Sequence, residues 1–238
     1  MQPIVLMDFF GTLARPRGAW TTLEDLLSDR GYIVKKCDLL PYVQEGADGH
    51  LHLAASRSRA AYHRWKVSRL AAFLEGRHSD PLDEAGNLLD ELERRRSETG
   101  LELAHGAREA LVNLADAGAG VVVCSNWGWD LEETLEYLGV REQLLGVVCS
   151  ARAGARKPNP EIFRQALGSP ASARRAVMIG DHPVADGVGA LNAGMKAACI
   201  VHSEPSPAAR HLADSLPTLT LHPNLTEAVD TAMELLGV

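Results

Sequence analysis

The stretch Ile4-Val5-Leu6-Met7-Asp8-Phe9-Phe10-Gly11-Thr12-Leu13 decides the fold, because an apolar run leads directly to one carboxylate and then to a glycine. An apolar run that is bounded by glycine is typical of a buried strand. In open α/β sheets, ligands bind beyond the carboxyl ends of such strands. We therefore expect Asp8 to lie where chemistry occurs, although an aspartate after a strand can also serve as a helix cap or a turn residue.

Three later segments also place polar residues beside an apolar run or a helix start. These segments are Ser125-Asn126 after Val121-Val122-Val123-Cys124, Lys157-Pro158 before the helix-like run Pro160 to Leu167, and Gly180-Asp181 with Asp186 after Ala176-Val177-Met178-Ile179. In order and spacing, the four segments together resemble the motifs of the haloacid dehalogenase superfamily, whose first motif is usually Asp-x-Asp-x-Thr. The resemblance covers residues 1–14 and 103–204 and is vague between them.

Length and composition are those of an ordinary soluble globular protein. The chain has 238 residues, enough for a sizeable core and a smaller second unit, with 46% hydrophobic and 23% charged residues. Its net charge of -7 disfavours nonspecific binding to nucleic acid or to an anionic membrane, because both usually require a basic excess. We expect a small anionic substrate, no nucleic-acid or membrane partner, and a monomer or homodimer.

The cysteines and the N-terminus favour the cytoplasm. Cys37, Cys124, Cys149 and Cys199 form no CxxC pair, and three of them lie in apolar runs, so we expect reduced and buried thiols. The N-terminus has no signal-peptide pattern, and no apolar run approaches the about 18 residues of a membrane span.

From Leu103 onward, short β-branched runs alternate with helical patterns, which predicts an α/β fold: a doubly wound parallel sheet in a Rossmann-like core. The predicted strands after the first are Val121 to Ser125, Leu144 to Cys149, Val177 to Ile179, Lys196 to Val201 and Thr218 to Leu221. The predicted helices are His105 to Asp116, Asp130 to Leu138, Pro160 to Leu167, Val184 to Ala193 and Thr226 to Leu236.

Residues 15–102 have helical apolar spacing and almost no strand pattern, so we predict a helical insert between two parts of the core, 1–14 and 103–238. Asp80-Pro81 separates two of its helices, and Gly100-Leu101-Glu102 is the predicted return linker. The family resemblance implies that this insert is a cap that closes over the catalytic face.

The acidic positions predict a metal-assisted site. Parallel-sheet geometry can bring Asp181 and Asp186 beside Asp8, and three clustered carboxylates repel one another unless a cation lies among them. Mg²⁺ is suited to such oxygen ligands. The resemblance implies that Asp8 is the nucleophile and that Asp8, Asp181 and the backbone carbonyl of Phe10 bind the metal, with Asp186 acting nearby or through water. The alternative is that Asp181 and Asp186 only cap a helix.

The remaining site residues are assigned by the resemblance. It implies that Lys157 neutralises the nucleophile and the phosphate, whereas the alternative is a surface lysine before a proline-led helix. It implies that the Ser125 hydroxyl bonds the phosphoryl group with help from Asn126. Thr12 either orders the turn or also touches phosphate or Asp8.

Two tryptophans, Trp127 and Trp129, follow Ser125-Asn126 on one loop. We expect Trp127 and Phe10 to line the substrate pocket, although packing between cap and core explains the tryptophans equally well. A basic group on one predicted cap helix could attract an anion but reads better as a solvated face; its members are Arg57, Arg59, Arg64, Lys66 and Arg69. His50 and His52 have no third ligand in recognisable spacing, which disfavours a transition-metal site.

Phe10 stands where most phosphatases of the superfamily have a second aspartate, which protonates the leaving group and activates water. Three interpretations follow. The first is a Mg²⁺-dependent phosphatase that works through an aspartyl-phosphate intermediate, in which the substrate, the metal or a cap residue replaces the acid; acyl phosphates would need little protonation.

The second interpretation is a 2-haloacid dehalogenase, whose first motif has a tyrosine at this place and which needs no metal. The related phosphonatases need a cap lysine, for which Lys35, Lys36 and Lys66 are candidates. The third is a binding or regulatory protein that has lost turnover. We favour the phosphatase, because Asp8, Lys157, Asp181 and Asp186 are all present.

Overall fold

A computed structural model describes residues 2–43 and 52–238. The chain divides into two compact units, a core unit of Met1–Arg15 with Leu103–Val238 and a helical unit of Pro16–Glu102. The first boundary differs from the predicted one by a single residue. Among the described residues, no helix combines the length and the apolar character that crossing a membrane requires.

Eight strands are formed by the described residues: β1 Ile4–Met7, β2 Ala14–Pro16, β3 Leu101–Leu103, β4 Gly120–Ser125, β5 Gly146–Cys149, β6 Ala176–Gly180, β7 Ala197–Val201 and β8 Leu219–His222. Six of them form one sheet in the order β5-β4-β1-β6-β7-β8, in which all neighbours are parallel. The predicted α/β class with a parallel sheet is confirmed. β2 and β3 form a separate two-stranded sheet.

The α-helices are α1 Leu23–Asp29, α2 Lys36–Val43, α3 Arg59–Leu74, α4 Pro81–Thr99, α5 Ala107–Asp116, α6 Leu131–Tyr137, α7 Ser150–Ala153, α8 Pro160–Leu167, α9 Pro170–Ala173, α10 Gly189–Asn192, α11 Pro207–Ser215 and α12 Leu225–Leu236. Two 3₁₀ turns, Ala55–Arg57 and Arg141–Gln143, and a π-helical segment, Pro183–Val188, complete the described elements.

The central position of β1 explains its sequence. A strand with parallel neighbours on both sides and helices over both faces is buried all round, and such strands are continuously apolar. Val5, Leu6 and Met7 are fully buried. On one face, Leu6 packs with Met178 and with Phe163 of α8, while α5 and α12 contact β4 and β6, which completes the doubly wound arrangement.

Local start and stop signals define the helix that follows the lysine motif. The Asn159 side chain accepts a hydrogen bond from the N–H of Glu161, Pro160 occupies the first turn, and Gly168 ends α8 with a φ of 69°. An amide N-cap, an early proline and a left-handed glycine at the end are the expected signals. The predicted range Pro160 to Leu167 is confirmed.

Some predicted elements differ from the structure. The predicted helix Val184 to Ala193 is the π-helical segment Pro183–Val188 followed by the short α10. The chain packs closely where the two segments join, because a Cβ added to Gly189 would lie 2.9 Å from the Cα of Pro158. The predicted strand Leu144 to Cys149 begins only at Gly146. Three helices, α7, α9 and α11, were absent from the sequence prediction.

The helical unit has its own apolar core, which joins leucines of α1 and α4 to Leu70, Phe73 and Leu74 of α3. Asp80 caps α4 by accepting a hydrogen bond from the N–H of Asp83, and Gly100 ends that helix. The break at Asp80-Pro81 was predicted, whereas the predicted return linker Gly100-Leu101-Glu102 leads directly into β3. One cysteine prediction is wrong: Cys124, Cys149 and Cys199 are buried free thiols, but Cys37 is exposed, since α2 presents it outside this core.

Candidate active site

Three neighbouring strands of the core sheet end at one edge. In register, Met7 of β1 lies beside Val123 of β4 and Ile179 of β6. The next residue, Asp8, continues the ladder by donating its N–H to the carbonyl of Ile179 at 2.8 Å. Because parallel strands share their direction, Asp8 and the polar residues at the ends of β4 and β6 meet at this edge.

Lys157 lies at the centre of the site. Its Nζ donates to Asp8 Oδ1 at 2.6 Å and to Asp186 Oδ1 at 2.5 Å. The side chain is only 1% exposed, which excludes the alternative of a surface lysine. The ammonium therefore holds two buried carboxylates, one from the end of β1 and one from the π-helical segment.

Asp186 is anchored from both sides. Its Oδ2 accepts the backbone N–H of His182 at 2.9 Å, while its Oδ1 accepts from Lys157. Gly180 makes room for this carboxylate, since a Cβ at Gly180 would lie 2.4 Å from Asp186 Cγ. Asp186 thus pairs directly with Lys157, a contact that the sequence prediction did not contain.

Asp8, Asp181 and Asp186 can each place one oxygen within 4.8 Å of the others. Three carboxylates and one ammonium leave a formal charge of two negative units, which one divalent cation balances. The oxygen donors are those that Mg²⁺ prefers. Gly11 lets Asp181 approach, because its φ of 91° favours glycine and a Cβ there would lie 2.3 Å from Asp181 Oδ2. The donor set therefore fits Mg²⁺.

The close approach of like charges changes the pKa values of these side chains. Burial, together with repulsion from Asp8 and Asp186, raises the pKa of Asp181 to about 7. Burial also raises the pKa of Asp186, although attraction to Lys157 opposes this shift. For Lys157, burial opposes the charged form, but attraction to Asp186 and Asp8 outweighs it, so the pKa of the ammonium is raised. Lys157 therefore keeps its proton.

The same sequence motifs contain two residues with hydroxyl side chains. Ser125 ends β4 and is 2% exposed, and Thr12 is 1% exposed. The Thr12 hydroxyl oxygen is buried and has no hydrogen-bond partner within the described residues. Because a buried polar atom normally has a partner, the Thr12 hydroxyl is suited to bind an oxygen of a ligand.

The Asn126 side chain binds the backbone of Lys157. Its side-chain oxygen accepts the N–H of Lys157 at 2.8 Å, and its side-chain nitrogen donates to the Lys157 carbonyl at 3.0 Å. The amide therefore holds the backbone at Lys157, which we call the lysine loop, and its polar atoms are not free for substrate. The sequence contained no signal for this pairing, because 31 residues separate the partners and only the fold brings them together.

Three aromatic rings that follow Asp8 and Asn126 in the chain pack together. The Phe10 ring stacks on Trp127 with centroids 5.6 Å apart and an angle of 26°, and Phe9 meets Trp127 edge-on at 5.0 Å. The carbonyl of Trp127 accepts hydrogen bonds from the Ser150 hydroxyl at 3.2 Å and the Ala151 N–H at 3.3 Å. Phe10 and Trp127 are thus held together.

Trp129 and the basic group of the sequence analysis make other contacts. Arg152 packs on the Trp129 ring at 5.6 Å and donates to its carbonyl. Within the basic group, Arg57 belongs to a 3₁₀ turn rather than to α3, and Arg57, Arg59 and Arg64 are exposed, as a solvated face would be.

The remaining candidates belong to the helical unit. His52 stacks on Trp65 at 5.1 Å, and no histidine joins a metal-ligating group within residues 2–43 and 52–238. His50 lies outside the described residues. Among the candidate lysines for a phosphonatase, Lys66 lies over the Tyr62 ring, and the side chain of Lys36 is outside the description.

Comparison with known proteins gives related chains. The "Haloacid dehalogenase-like hydrolase domain-containing protein 3" of Mus musculus is 33% identical over 139 residues, which are 57% of this chain and 53% of that protein. The "Glyceraldehyde 3-phosphate phosphatase" of Pyrococcus abyssi is 35% identical over 94 residues, 38% of this chain and 39% of that protein. The alignment with the mouse protein thus spans about half of that relative's length.

Among solved structures, the HAD-hydrolase YfnB of Bacillus subtilis, bound to magnesium, superposes with a TM-score of 0.61 at 19% identity, covering 100% of this chain and 99% of that one. This likeness shows the fold. The family model described as haloacid dehalogenase-like hydrolase matches residues 66–200, more than half of the chain and including Lys157, Asp181 and Asp186. This chain therefore belongs to the haloacid dehalogenase-like hydrolase family.

Proposed function

We propose that this protein is a Mg²⁺-dependent phosphatase that acts on a small phosphorylated metabolite through an aspartyl-phosphate on Asp8. The observation that carries the proposal is the buried contact of Lys157 with Asp8 and Asp186, with Asp181 beside them. A buried ion pair is costly to form and is weak evidence of stability, so a cluster of this kind at a strand end favours a functional role. The phosphatase among the relatives supports the same reaction class.

In the first step, an oxygen of the Asp8 carboxylate bonds to phosphorus and the bond from phosphorus to the leaving-group oxygen breaks, with the electron pair leaving on that oxygen. The Lys157 ammonium holds Asp8 in place and offsets the negative charge that gathers around the phosphoryl group. The Thr12 and Ser125 hydroxyls are donors for phosphoryl oxygens. In the second step, a water oxygen bonds to phosphorus and the bond from phosphorus to the Asp8 oxygen breaks. Asp8 is then a free carboxylate again, and the protons of the water pass to phosphate and solvent.

Asp8 and Asp181, with the Phe10 carbonyl, are the residues assigned to hold Mg²⁺, and Asp186 supports them from its pair with Lys157. When bound, the ion supplies positive charge to the phosphoryl oxygens. The magnesium bound by YfnB is consistent with this assignment. We further assign the helical unit the role of a cap. We also propose a cytoplasmic location, and the buried free thiols of Cys124, Cys149 and Cys199 support this location.

A phosphate-release assay tests the proposal. Acetyl phosphate and nitrophenyl phosphate are incubated with the protein, with and without Mg²⁺, and with the Asp8→Asn variant. We expect release that requires both the ion and Asp8, since asparagine lacks the charge of the nucleophile. Release that persists in Asp8→Asn would contradict the assignment.

The same preparations distinguish the two alternatives. Halide release from chloropropionate without metal would favour the dehalogenase, for which the aromatic residue at position 10 is the motivating observation. No turnover in either assay, with Mg²⁺ still raising the melting temperature, would favour a binding protein.

A further inference from the structure

A close contact joins the two chain segments that carry Lys157 and Asp186. Pro158 directly follows Lys157, and Gly189, the first residue of α10, follows Asp186 by three residues. Gly189 and Pro158 approach so closely that a Cβ on Gly189 would lie 2.9 Å from the Cα of Pro158. The backbones that carry the lysine and its carboxylate partner therefore touch at this point.

Position 189 needs glycine for space and not for conformation. Its φ of -58° and ψ of -47° are right-handed helical values, which residues with a side chain adopt readily. Besides the Pro158 Cα, a Cβ would meet Cε2 and Cζ of the Phe163 ring, both at 2.9 Å. Phe163 is fully buried, and a ring in a close-packed core has little room to move. The absence of a side chain at Gly189 thus sets how closely the two segments approach.

The lysine loop is also fixed by hydrogen bonds at its backbone and at the tip of the side chain. The Asn126 amide accepts from the N–H of Lys157 at 2.8 Å and donates to its carbonyl at 3.0 Å. The Lys157 ammonium donates to Asp8 at 2.6 Å and also to Asp186. A loop that is pushed away from Gly189 must lengthen some of these contacts. A shift of α10 instead moves the segment that carries Asp186.

We propose that Gly189 is a positioning residue of the phosphoryl transfer, because its lack of a side chain sets the place of the Lys157 ammonium relative to the carboxylates that it holds. This inference rests on the proposed phosphatase function. Gly189 acts through Pro158 on Lys157 and through its own segment on Asp186. A misplacement of about 1 Å that originates far from the chemistry can cost about 10² in rate. An added methyl group at this contact should therefore be visible in kcat.

The test measures phosphate release from acetyl phosphate with Mg²⁺ by Gly189→Ala. We expect kcat to fall by about tenfold to hundredfold. KM should change by less than about twofold, because the positioned ammonium acts more on the transition state than on the bound substrate. A merely structural role for Gly189 would lower the melting temperature and the amount of folded protein without this fall in kcat.

Two control variants accompany Gly189→Ala. Gly86→Ala on α4 is the matched glycine replacement, since a Cβ there would meet no described atom within 4 Å apart from the backbone of its own helix; its kcat should be unchanged. Phe163→Leu is the control for lost packing, because it shortens the buried side chain and leaves Gly189 against Pro158. It should lower the melting temperature and keep kcat.

The double variant Phe163→Leu with Gly189→Ala identifies the route of the effect, and it replaces Gly189→Ala if that variant does not fold. The leucine gives the added methyl group room on the side of the ring but leaves the contact with Pro158, so kcat should stay low. A normal kcat in folded Gly189→Ala or in the double variant overturns the inference and leaves the phosphatase intact. If neither variant folds, the contact serves folding as such, which also overturns it. No Asp8-dependent release by the natural protein overturns the phosphatase itself.

Discussion

In the core unit the charged side chains with large pKa shifts lie in one cluster that is largely buried, whereas in the helical unit they lie on an exposed part of α4. Burial and repulsion raise the pKa of Asp181 to about 7. By contrast, hydrogen bonds from Arg94 and Arg95 lower the pKa of Glu91 to about 2. Shifts of opposite sign thus separate carboxylates that are forced together from a carboxylate that is paired with cations in water.

This difference concerns free energy as well as acidity. The Arg94 side chain is 55% exposed, and ion pairs of that kind contribute little to stability because water screens them. The Lys157 side chain is 1% exposed, and removing one partner of a buried pair leaves an uncompensated charge. The core unit thus keeps a cluster of buried charges, which is costly in free energy, at one edge of its sheet. Such clusters are expected at functional sites.

The largest expected effect comes from the lysine. Lys157→Met leaves the Asp8 and Asp186 carboxylates buried without a cation, so it should lower kcat/KM for acetyl phosphate by about 10³. It should also lower the free energy of unfolding by about 3 to 5 kcal/mol. Urea denaturation and phosphate release measure these changes.

Arg94→Met is the matched control in the helical unit, because it removes a cation from an exposed pair with Glu91. Its melting temperature and activity should equal those of the natural protein. If the two methionine variants behaved alike, the contrast between the units would be lost.

The next effect concerns Asn126, which binds both the N–H and the carbonyl of Lys157. Asn126→Ala should lower kcat by about tenfold to hundredfold, since a displaced ammonium no longer meets the phosphoryl group. The Asn87 side chain, which donates to Asp83 on the exposed face of α4, provides the control Asn87→Ala with unchanged kcat. A higher KM with an unchanged kcat in Asn126→Ala would show instead that Asn126 binds the substrate directly.

A third prediction uses the raised acidity of Asp181. A carboxyl whose folded-state pKa is above its unfolded value holds a proton that the unfolded chain releases, so stability falls as the pH rises from the unfolded value through about 7. Without metal, the melting temperature should therefore fall between about pH 4 and about pH 7. Mg²⁺ should restore it at the higher pH, because the ion neutralises the carboxylates.

Asp181→Asn should show a smaller pH effect and little stabilisation by Mg²⁺, which thermal melts with and without the ion can measure. Full Mg²⁺ stabilisation of this variant would remove Asp181 from the metal site.

The smallest effects lie within the helical unit. Arg30 donates to Glu84 at 2.8 Å, and the Glu84 side chain is 11% exposed, whereas Glu91 is 25% exposed and lies between two arginines of its own helix. Glu84→Gln should cost about 1 kcal/mol of unfolding free energy. Glu91→Gln should cost less. A reversed order in denaturant titrations would show that exposure does not rank these pairs.

Much of the core could be predicted from sequence, because buried parallel strands are apolar over their whole length and polar residues mark their ends. The strands predicted at Val121 to Ser125 and at Val177 to Ile179 lie within one or two residues of the observed bounds, Gly120–Ser125 and Ala176–Gly180. Helix α11 was missed although Ser206 caps it and Pro207 opens it, since Pro207–Ser215 contains few large apolar residues. Such a helix is stabilised mostly by its cap and its neighbours rather than by an apolar stripe.

For the site, the sequence predicted which residues meet but not how. Strand order brings Asp8, Asp181 and Asp186 together, so their clustering could be predicted. The shared proton donor Lys157, the amide of Asn126 on the lysine loop and the stack of Phe10 on Trp127 depend on loop conformations and on contacts between residues distant in sequence. No periodicity or local motif encodes such contacts.

The central claim is that Asp8 carries the phosphoryl group. Acid quenching of the protein during turnover of acetyl phosphate with Mg²⁺, followed by mass spectrometry of its peptides, tests this most directly. We expect one phosphoryl group on the peptide that contains Asp8, and none in Asp8→Asn. Phosphate release with an unmodified Asp8 peptide, or a phosphoryl group on another residue, would contradict the account.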